Sequence, residues 1–130
     1  MPKDAENHKL LLVDDDHFLL NMYSGKFQKS GFEVTTASES KEALAKLRDG
    51  FIPDIIILDI IMPGMDGLEL LETIRKEKLA PDSVIVMLTN QGDEIERAKK
   101  YGIQGYIVKA TTVPSGVVEE VTNILKKNKK

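Results

Sequence analysis

The sequence predicts an α/β fold in which one five-stranded parallel sheet lies between two layers of helices. Five short apolar or β-branched runs recur along the 130-residue chain, and a helical pattern follows each of them. The connections are short, and no linker, internal repeat or low-complexity segment interrupts them. This alternation is typical of a doubly wound sheet, so we expect right-handed crossovers between its strands.

The five predicted strands are short, and several are continuous apolar runs of the kind that parallel sheets bury. Their expected limits are Lys9–Val13, Phe32–Ala37, Ile55–Leu58, Val84–Leu88 and Tyr106–Val108. We expect the common flavodoxin-like strand order 2-1-3-4-5, which makes the first and third strands neighbours.

Capping and turn residues mark the ends of the first two helices. The first helix is expected over residues 17–30, with Asp16 as its N-cap and Gly31 after its last turn. Ser40 is expected to cap the second helix, and Gly50 to end it. Apolar residues recur at helical spacing in both, which predicts that one face of each helix packs on the sheet. In the first helix this face carries Leu19, Leu20, Tyr23 and Phe27.

The other three helices carry similar signals. Asp66 is expected to cap the third helix. A short polar fourth helix is expected over residues 92–101, ending at Gly102. Pro114 lies near the first turn of the fifth helix, whose apolar positions fall on one face.

Composition is that of an ordinary globular domain and excludes several kinds of protein. Hydrophobic residues make up 42% of the chain and charged residues 30%, and the formal net charge of −3 gives no reason to expect nucleic acid binding. The chain has no cysteine, which excludes thiolate metal sites and is consistent with a reducing, cytoplasmic location. No apolar run is long enough to span a bilayer, so no membrane contact is expected.

A single domain is expected over residues 9–126. Residues 1–8 and the basic tail at residues 127–130 are expected to be flexible ends. An exposed tail explains the terminal lysines without a bound polyanion.

Polar residues follow four of the five predicted strands. Asp14 and Asp15 follow the first strand, Asp59 the third, Thr89 the fourth and Lys109 the fifth. The carboxyl ends of parallel strands lie at one edge of the sheet, where such folds bind ligands. Neighbouring strands are about 4.8 Å apart, so the three acids should share a pocket that the lysine reaches from about 10 Å away.

The three carboxylates need a cation or a proton, because two of them about 5 Å apart repel by roughly 3 kcal/mol at an effective dielectric constant of 20. Oxygen ligands without nearby histidine or cysteine favour a hard cation, and so few carboxylates favour Mg²⁺ with a phosphate oxygen among its ligands. Lys109 adds a positive charge and Thr89 a hydroxyl donor, which suit a tetrahedral oxyanion. Asp59 can then act as the nucleophile that forms an acyl phosphate.

These motifs resemble the receiver domain of two-component response regulators, over roughly residues 9–126. The resemblance depends on Leu-Leu-Val-Asp-Asp-Asp at 11–16, Ile-Leu-Asp-Ile-Ile-Met-Pro-Gly-Met-Asp-Gly at 57–67, Val-Met-Leu-Thr at 86–89 and Gly-Tyr-Ile-Val-Lys at 105–109. The element Asp-x-x-Met-Pro-x-x-Asp-Gly, which begins at Asp59, is highly specific.

The resemblance implies a phospho-accepting signalling switch and not a turnover enzyme. Asp59 would take a phosphoryl group from a histidine kinase, a phosphotransfer protein or a small phosphodonor. The implied Mg²⁺ ligands are Asp14, Asp15, Asp59 and the backbone carbonyl of Ile61.

The resemblance also implies how phosphorylation would change the surface that a partner recognises. Thr89 and Lys109 would bind the phosphoryl oxygens, and Tyr106 matches the aromatic residue that changes rotamer as the threonine moves in many members. The fourth helix, fifth strand and fifth helix would form the output surface for a downstream protein. A phosphorylation-dependent dimer is a further partner to expect, and no nucleic acid contact is expected within this chain.

Two positions depart from the usual pattern of the family. Ala110 stands where proline is usual, commonly after a cis bond; a non-proline cis bond costs about 2.5–4 kcal/mol, so we expect a trans bond and a different path to the last helix. Ile61 places a branched apolar side chain two residues after Asp59. Together with residues 90–91, it should hinder an attacking water and make self-dephosphorylation slow.

Other functions remain open at this point. A phosphohydrolase of the haloacid-dehalogenase type would use Asp14 as nucleophile and Asp16 as the acid two residues later, although His17 and Phe18 do not continue that motif and no cap domain fits. A degenerate receiver that only binds proteins is another alternative. A flavodoxin-like cofactor carrier is a third, but no phosphate loop rich in threonine and glycine follows the first strand.

Overall fold

The computed structural model describes residues 8–90 and 95–128, which form alternating strands and helices. The strands are β1 (Lys9–Val13), β2 (Glu33–Ala37), β3 (Ile55–Leu58), β4 (Val84–Thr89) and β5 (Gly105–Val108). The helices are α1 (His17–Lys29), α2 (Ser40–Arg48), α3 (Gly67–Lys76), α4 (Ile95–Lys99) and α5 (Pro114–Lys127). All strand pairs are parallel, in the order β2-β1-β3-β4-β5, so the predicted fold class and strand order are confirmed.

Each face of the sheet packs against its own set of helices, because successive side chains of a strand point to opposite faces. Leu10 and Leu12 of β1 lie in a cluster with residues of α1 and α5. Leu11 and Val13 of the same strand lie in a second cluster with residues of α2 and α3. Both faces are therefore covered, which explains why β3 is an unbroken apolar run with every residue buried.

Two of the three predicted helix caps are confirmed. The Asp16 side chain accepts a hydrogen bond from the Leu19 backbone N–H at the start of α1. Asp66 and Glu69 form a capping box at the start of α3, each side chain accepting from the backbone N–H of the other. These caps fix where each helix leaves the carboxyl edge of the sheet.

The prediction that Ser40 caps α2 is wrong. Glu39 occupies the N-cap position, where it makes no side-chain cap hydrogen bond, and Ser40 is the first helical residue. Ser40 is buried, and its hydroxyl donates to the backbone carbonyl of Met65 at 2.7 Å. The Ser40 hydroxyl therefore makes a tertiary hydrogen bond, whereas the sequence pattern predicted that it would cap the helix.

The remaining boundaries differ by a few residues. Helix α4 begins at Ile95 and ends at Lys99, two residues before the predicted end; the predicted positions 92–94 lie outside the described residues. Helix α5 extends to Lys127, inside the predicted basic tail, and residues 1–7 and 129–130 also lie outside the described residues.

The trans bond predicted at Ala110, in the connection between β5 and α5, is confirmed. No peptide bond among the described residues is cis, so the bond between Lys109 and Ala110 is trans. A 3-10 turn covers Lys109–Thr111, and Pro114 then begins α5. This turn starts with the lysine itself and so positions it at the sheet edge.

Candidate functional site

Two buried carboxylates meet at the carboxyl edge of the sheet, as the strand order predicts. Val13 and Leu58 are paired across β1 and β3, so the residues that follow them, Asp14 and Asp59, lie side by side. The Asp59 backbone N–H donates to the Val13 carbonyl at 3.0 Å, which continues the sheet by one residue. Asp14 is 1% exposed and Asp59 is 6% exposed, so both acids are largely removed from water.

A third carboxylate completes a cluster that suits a hard cation. Asp14, Asp15 and Asp59 each offer a carboxylate oxygen, and these oxygens lie within 4.8 Å of one another. Magnesium bonds to oxygen at about 2.1 Å, which places its ligand atoms about 3–4 Å apart. A small closure of these three side chains therefore fits Mg²⁺, and all the donors are oxygens, as that ion prefers.

Lys109 crosses from the end of β5 to the two buried acids. Its ammonium lies 2.8 Å from Oδ2 of Asp14 and 3.3 Å from Oδ2 of Asp59, and its side chain is only 5% exposed. The sequence predicted that the lysine would reach Asp59, but its shorter contact is with Asp14. Lys109 is thus the counter-ion of both carboxylates, and it couples three strand ends.

The other predicted site residues lie on β4, on β5 and in the segment that follows Asp59. Thr89 ends β4 between the strands that carry Asp59 and Lys109, and it is 1% exposed. Ile61 is 63% exposed, so its side chain is free to border a group attached to Asp59. Tyr106 on β5 is 46% exposed, and the Lys99 ammonium lies 5.7 Å from the centre of its ring.

Burial controls the protonation of Asp59. Its pKa is raised from 3.8 to about 6, chiefly because burial disfavours the charged form, while Lys109 opposes the rise and the charges of Asp14 and Asp15 add to it. Burial lowers the pKa of Lys109, but its hydrogen bond to Asp14 and the charges of Asp59 and Asp14 outweigh burial, so the net shift is upward. At neutral pH the cluster therefore holds an ionised Asp59 beside a charged lysine.

Tyr23 is a neighbour of the site that the sequence reasoning missed. It is 3% exposed on α1, where it was assigned only to the core face of the helix. Burial raises the pKa of its phenol, and the charges of Asp14 and Asp59 raise it further against that of Lys109. Side chains of a helix tilt towards its N-terminus, and the N-terminus of α1 lies at the carboxyl edge of the sheet. This tilt could have indicated from the sequence that Tyr23 lies near the site.

Replacing Asp59 with asparagine should stabilise the metal-free domain at neutral pH. Folded Asp59 holds its proton more tightly than the unfolded chain, so the free energy of unfolding falls as pH rises through the window from about 4 to 6. The complete loss is about 3 kcal/mol for a shift of this size. Urea unfolding of Asp59→Asn and the native protein, at several pH values with a chelator present, measures the difference.

The exposed Asp82 supplies the control for this pH profile. Asp82→Asn should keep the profile of the native protein, whereas Asp59→Asn should flatten it between pH 4 and 6. Parallel profiles for Asp59→Asn and the native protein would show that burial does not penalise the Asp59 charge.

A family model described as the response regulator receiver domain matches residues 10–120, which is most of the chain. The chain belongs to this family. Receiver domains act in two-component signalling, bind Mg²⁺ at an acidic pocket and are signalling proteins, not classical enzymes. These findings do not favour the dehalogenase-type alternative with Asp14 as nucleophile.

Curated relatives of this receiver domain are transcriptional regulators. It is 33% identical to the alkaline phosphatase synthesis transcriptional regulatory protein PhoP of Bacillus subtilis (strain 168), over 94% of this chain and 50% of that protein. It is 42% identical over 68% of its length to a transcriptional regulatory protein CpxR homolog of Haemophilus influenzae, and covers 37% of it. The receiver domain thus spans half or less of the length of these two relatives.

Solved structures of the same family superpose over nearly the whole receiver domain. The chemotaxis response regulator CheY4 of Vibrio cholerae has a TM-score of 0.81 at 32% identity, covering 91% of this chain and 98% of that one. A putative response regulator from Chloroflexus aurantiacus also has a TM-score of 0.81, at 34% identity, covering 93% and 99%. Within the described residues of this receiver domain, no helix combines the length and hydropathy needed to cross a bilayer.

Proposed function

We propose that this receiver domain is a phospho-accepting switch in which Asp59 takes a phosphoryl group from a histidine kinase, a phosphotransfer protein or a small phosphodonor. The observation that carries the proposal is the ion-paired cluster at the sheet edge, where Lys109 contacts both Asp14 and Asp59. The residues that follow three strands bring charged side chains into a buried position, although the fold itself does not require charges there. Asp59 is the acid that directly follows the central strand β3.

The transfer forms one bond and breaks another. An oxygen of ionised Asp59 attacks phosphorus, while the bond from phosphorus to the donor's nitrogen or oxygen breaks and its electron pair leaves with the donor. Mg²⁺ held by Asp14, Asp15, Asp59 and the backbone carbonyl of Ile61 would neutralise charge on the phosphoryl oxygens. Because the pKa of Asp59 is about 6, most molecules hold the ionised nucleophile at neutral pH.

The other polar residues then bind the phosphoryl group and change position. Lys109 exchanges part of its contact with Asp14 for a phosphoryl oxygen, and the Thr89 hydroxyl donates to another. Movement of Thr89 frees the partly exposed Tyr106 to change rotamer, which alters the surface formed by α4, β5 and α5. A downstream protein, or a second phosphorylated copy, would recognise that surface in the cytoplasm.

Covalent labelling tests this function. The protein is incubated with acetyl phosphate and Mg²⁺ and its intact mass is measured. The native protein should gain one phosphoryl group, and Asp59→Asn should gain none. Asp82→Asn, which removes an exposed aspartate, should be labelled like the native protein. A folded native protein that never gains mass, or an Asp59→Asn variant that gains it normally, would refute the proposal.

Replacing Ile61 with asparagine should shorten the lifetime of the phosphoryl group. Ile61 lies two residues after Asp59 with an exposed branched side chain, which can shield the acyl phosphate from water. An amide at that position can instead orient a water molecule by hydrogen bonding. Loss of the added mass over time, after the phosphodonor is removed, gives the half-life.

The exposed Ile52, which precedes β3, supplies the control for this measurement. Ile52→Asn makes the same change in polarity at the opposite edge of the sheet, so it should leave the half-life unchanged. An Ile61→Asn half-life equal to that of Ile52→Asn would contradict the shielding role of Ile61.

A further inference from the structure

Ser40 makes a contact that its position in α2 does not require. Serine at a helix start usually accepts a hydrogen bond from a free backbone N–H, but Ser40 lies one residue inside the helix. Its hydroxyl, 3% exposed, donates to the carbonyl of Met65, 25 residues later. This hydrogen bond joins α2 to the loop that follows Asp59.

That loop, residues 60–66, carries the two features assigned to Ile61: the proposed Mg²⁺ ligand and the shield over the acyl phosphate. Its base is closed by the hydrogen bond from the Gly67 N–H to the Ile60 carbonyl, at 2.8 Å. Within it, Ile60 and Met62 are buried on either side of the exposed Ile61. Gly64 has a φ of 76°, so the chain turns sharply before Met65.

Ser40 supplies a hydrogen bond that holds the loop at Met65. Its hydroxyl on α2 and the carbonyl of Met65 are 25 residues apart along the chain, so the bond ties the loop to a separate helix. Asp66, at the end of the loop, hydrogen-bonds within α3 through Glu69. Without the serine hydroxyl, the half-buried Met65 would keep its apolar contacts, but its carbonyl would lose the hydrogen bond to α2.

We propose that Ser40 is a positioning residue for the phosphoryl site, because it holds in place the 60–66 loop that carries Ile61. The inference rests on the proposed function, because it assigns the loop a part in Mg²⁺ binding and in protection of the acyl phosphate. Ser40 touches neither the ion nor the phosphate, and it acts through the Met65 carbonyl. Groups that orient metal ligands change metal affinity by about tenfold or more when they are removed.

Ser83 offers a closely matched control. It is also a buried serine, 4% exposed, and its hydroxyl also donates to a backbone carbonyl of a connecting segment, that of Pro53. It precedes β4 and so lies at the opposite edge of the sheet from Asp59. Ser83→Ala therefore reproduces the loss of a buried serine hydrogen bond without touching the loop.

The test compares Ser40→Ala with Ser83→Ala in the full chain. Titration of the unphosphorylated protein with Mg²⁺, followed by NMR of backbone amides, should show about tenfold weaker binding for Ser40→Ala. The half-life of the phosphoryl group should also fall several-fold in Ser40→Ala. Ser83→Ala should match the native protein in both measurements. Ser40→Cys keeps the size of the side chain with only a weak donor, and it should repeat the result if the alanine variant does not fold.

The outcomes separate this role from the proposed function. Native protein that binds Mg²⁺ and is phosphorylated, with Ser40→Ala and Ser83→Ala alike in affinity and half-life, would overturn the role of Ser40 alone. Native protein that neither binds Mg²⁺ nor accepts phosphate would overturn the proposed function and the role of Ser40 with it. Equal losses of stability in the two variants, with the metal affinity weakened only in Ser40→Ala, would support positioning.

Discussion

Replacing Gly67 with alanine should destabilise the domain by about 3 kcal/mol or more. An added Cβ would lie 2.8 Å from Cα of Ile60 and 2.9 Å from the carbonyl carbon of Asp59, and closer still to the Asp59 carbonyl oxygen. These are backbone atoms at the end of the central strand, so no side-chain rotation relieves the clash. Urea unfolding followed by circular dichroism measures the loss.

Gly25 provides the control for this substitution. An added Cβ there meets nothing within 4 Å, and the residue lies inside α1. Gly25→Ala should therefore stabilise the protein, by about 0.5–1 kcal/mol, because alanine is the better helix former. A Gly67→Ala variant as stable as the native protein would contradict the close packing of α3 against the end of β3.

Replacing Lys109 with methionine should cost about 3–5 kcal/mol of stability in the absence of metal. The variant keeps most of the side-chain length but leaves Asp14 and Asp59, both buried, without their ammonium partner. Loss of the lysine charge also removes a term that lowers the pKa of Asp59, so its pKa should rise above about 6. Unfolding in urea with a chelator, at neutral pH, measures the cost.

Magnesium should restore more stability to Lys109→Met than to the native protein, because the ion would then be the main cation near the acids. Lys99→Met is the control, since it removes the same charge from an exposed lysine whose partner is Glu96, and it should change little. Equal losses in the two variants would show that Lys109 is not the counter-ion of the buried pair.

The sheet and the convergence of its polar residues could be predicted because they depend on local pattern and topology. Asp14, Asp59 and Lys109 each follow an apolar run, and the strand order brings them together, with Thr89 at the end of the strand between Asp59 and Lys109. A shift of one or two residues at a helix end does not move a strand end. The predicted fold and strand order are therefore correct, although α4 ends two residues before its predicted end.

Contacts between distant segments could not be predicted from the same patterns. Ser40 has the residue type of a helix cap, and only the packing of α2 on the loop after β3 shows that its hydroxyl binds Met65. The preference of Lys109 for Asp14 over Asp59 likewise depends on a side chain crossing β4, which spacing along the chain does not determine. Tyr23 was assigned to the core because it lies on the apolar face of the first helix, and this pattern does not show its proximity to the carboxylates.

The most direct test of the account is to locate the phosphoryl group on the polypeptide. An aspartyl phosphate is reduced by borohydride to homoserine, which changes the mass of one peptide. After treatment with acetyl phosphate and Mg²⁺, residue 59 alone should be converted, in a peptide that contains the segment between β3 and α3. Conversion at Asp14, or at no aspartate in a folded and metal-saturated sample, would contradict it.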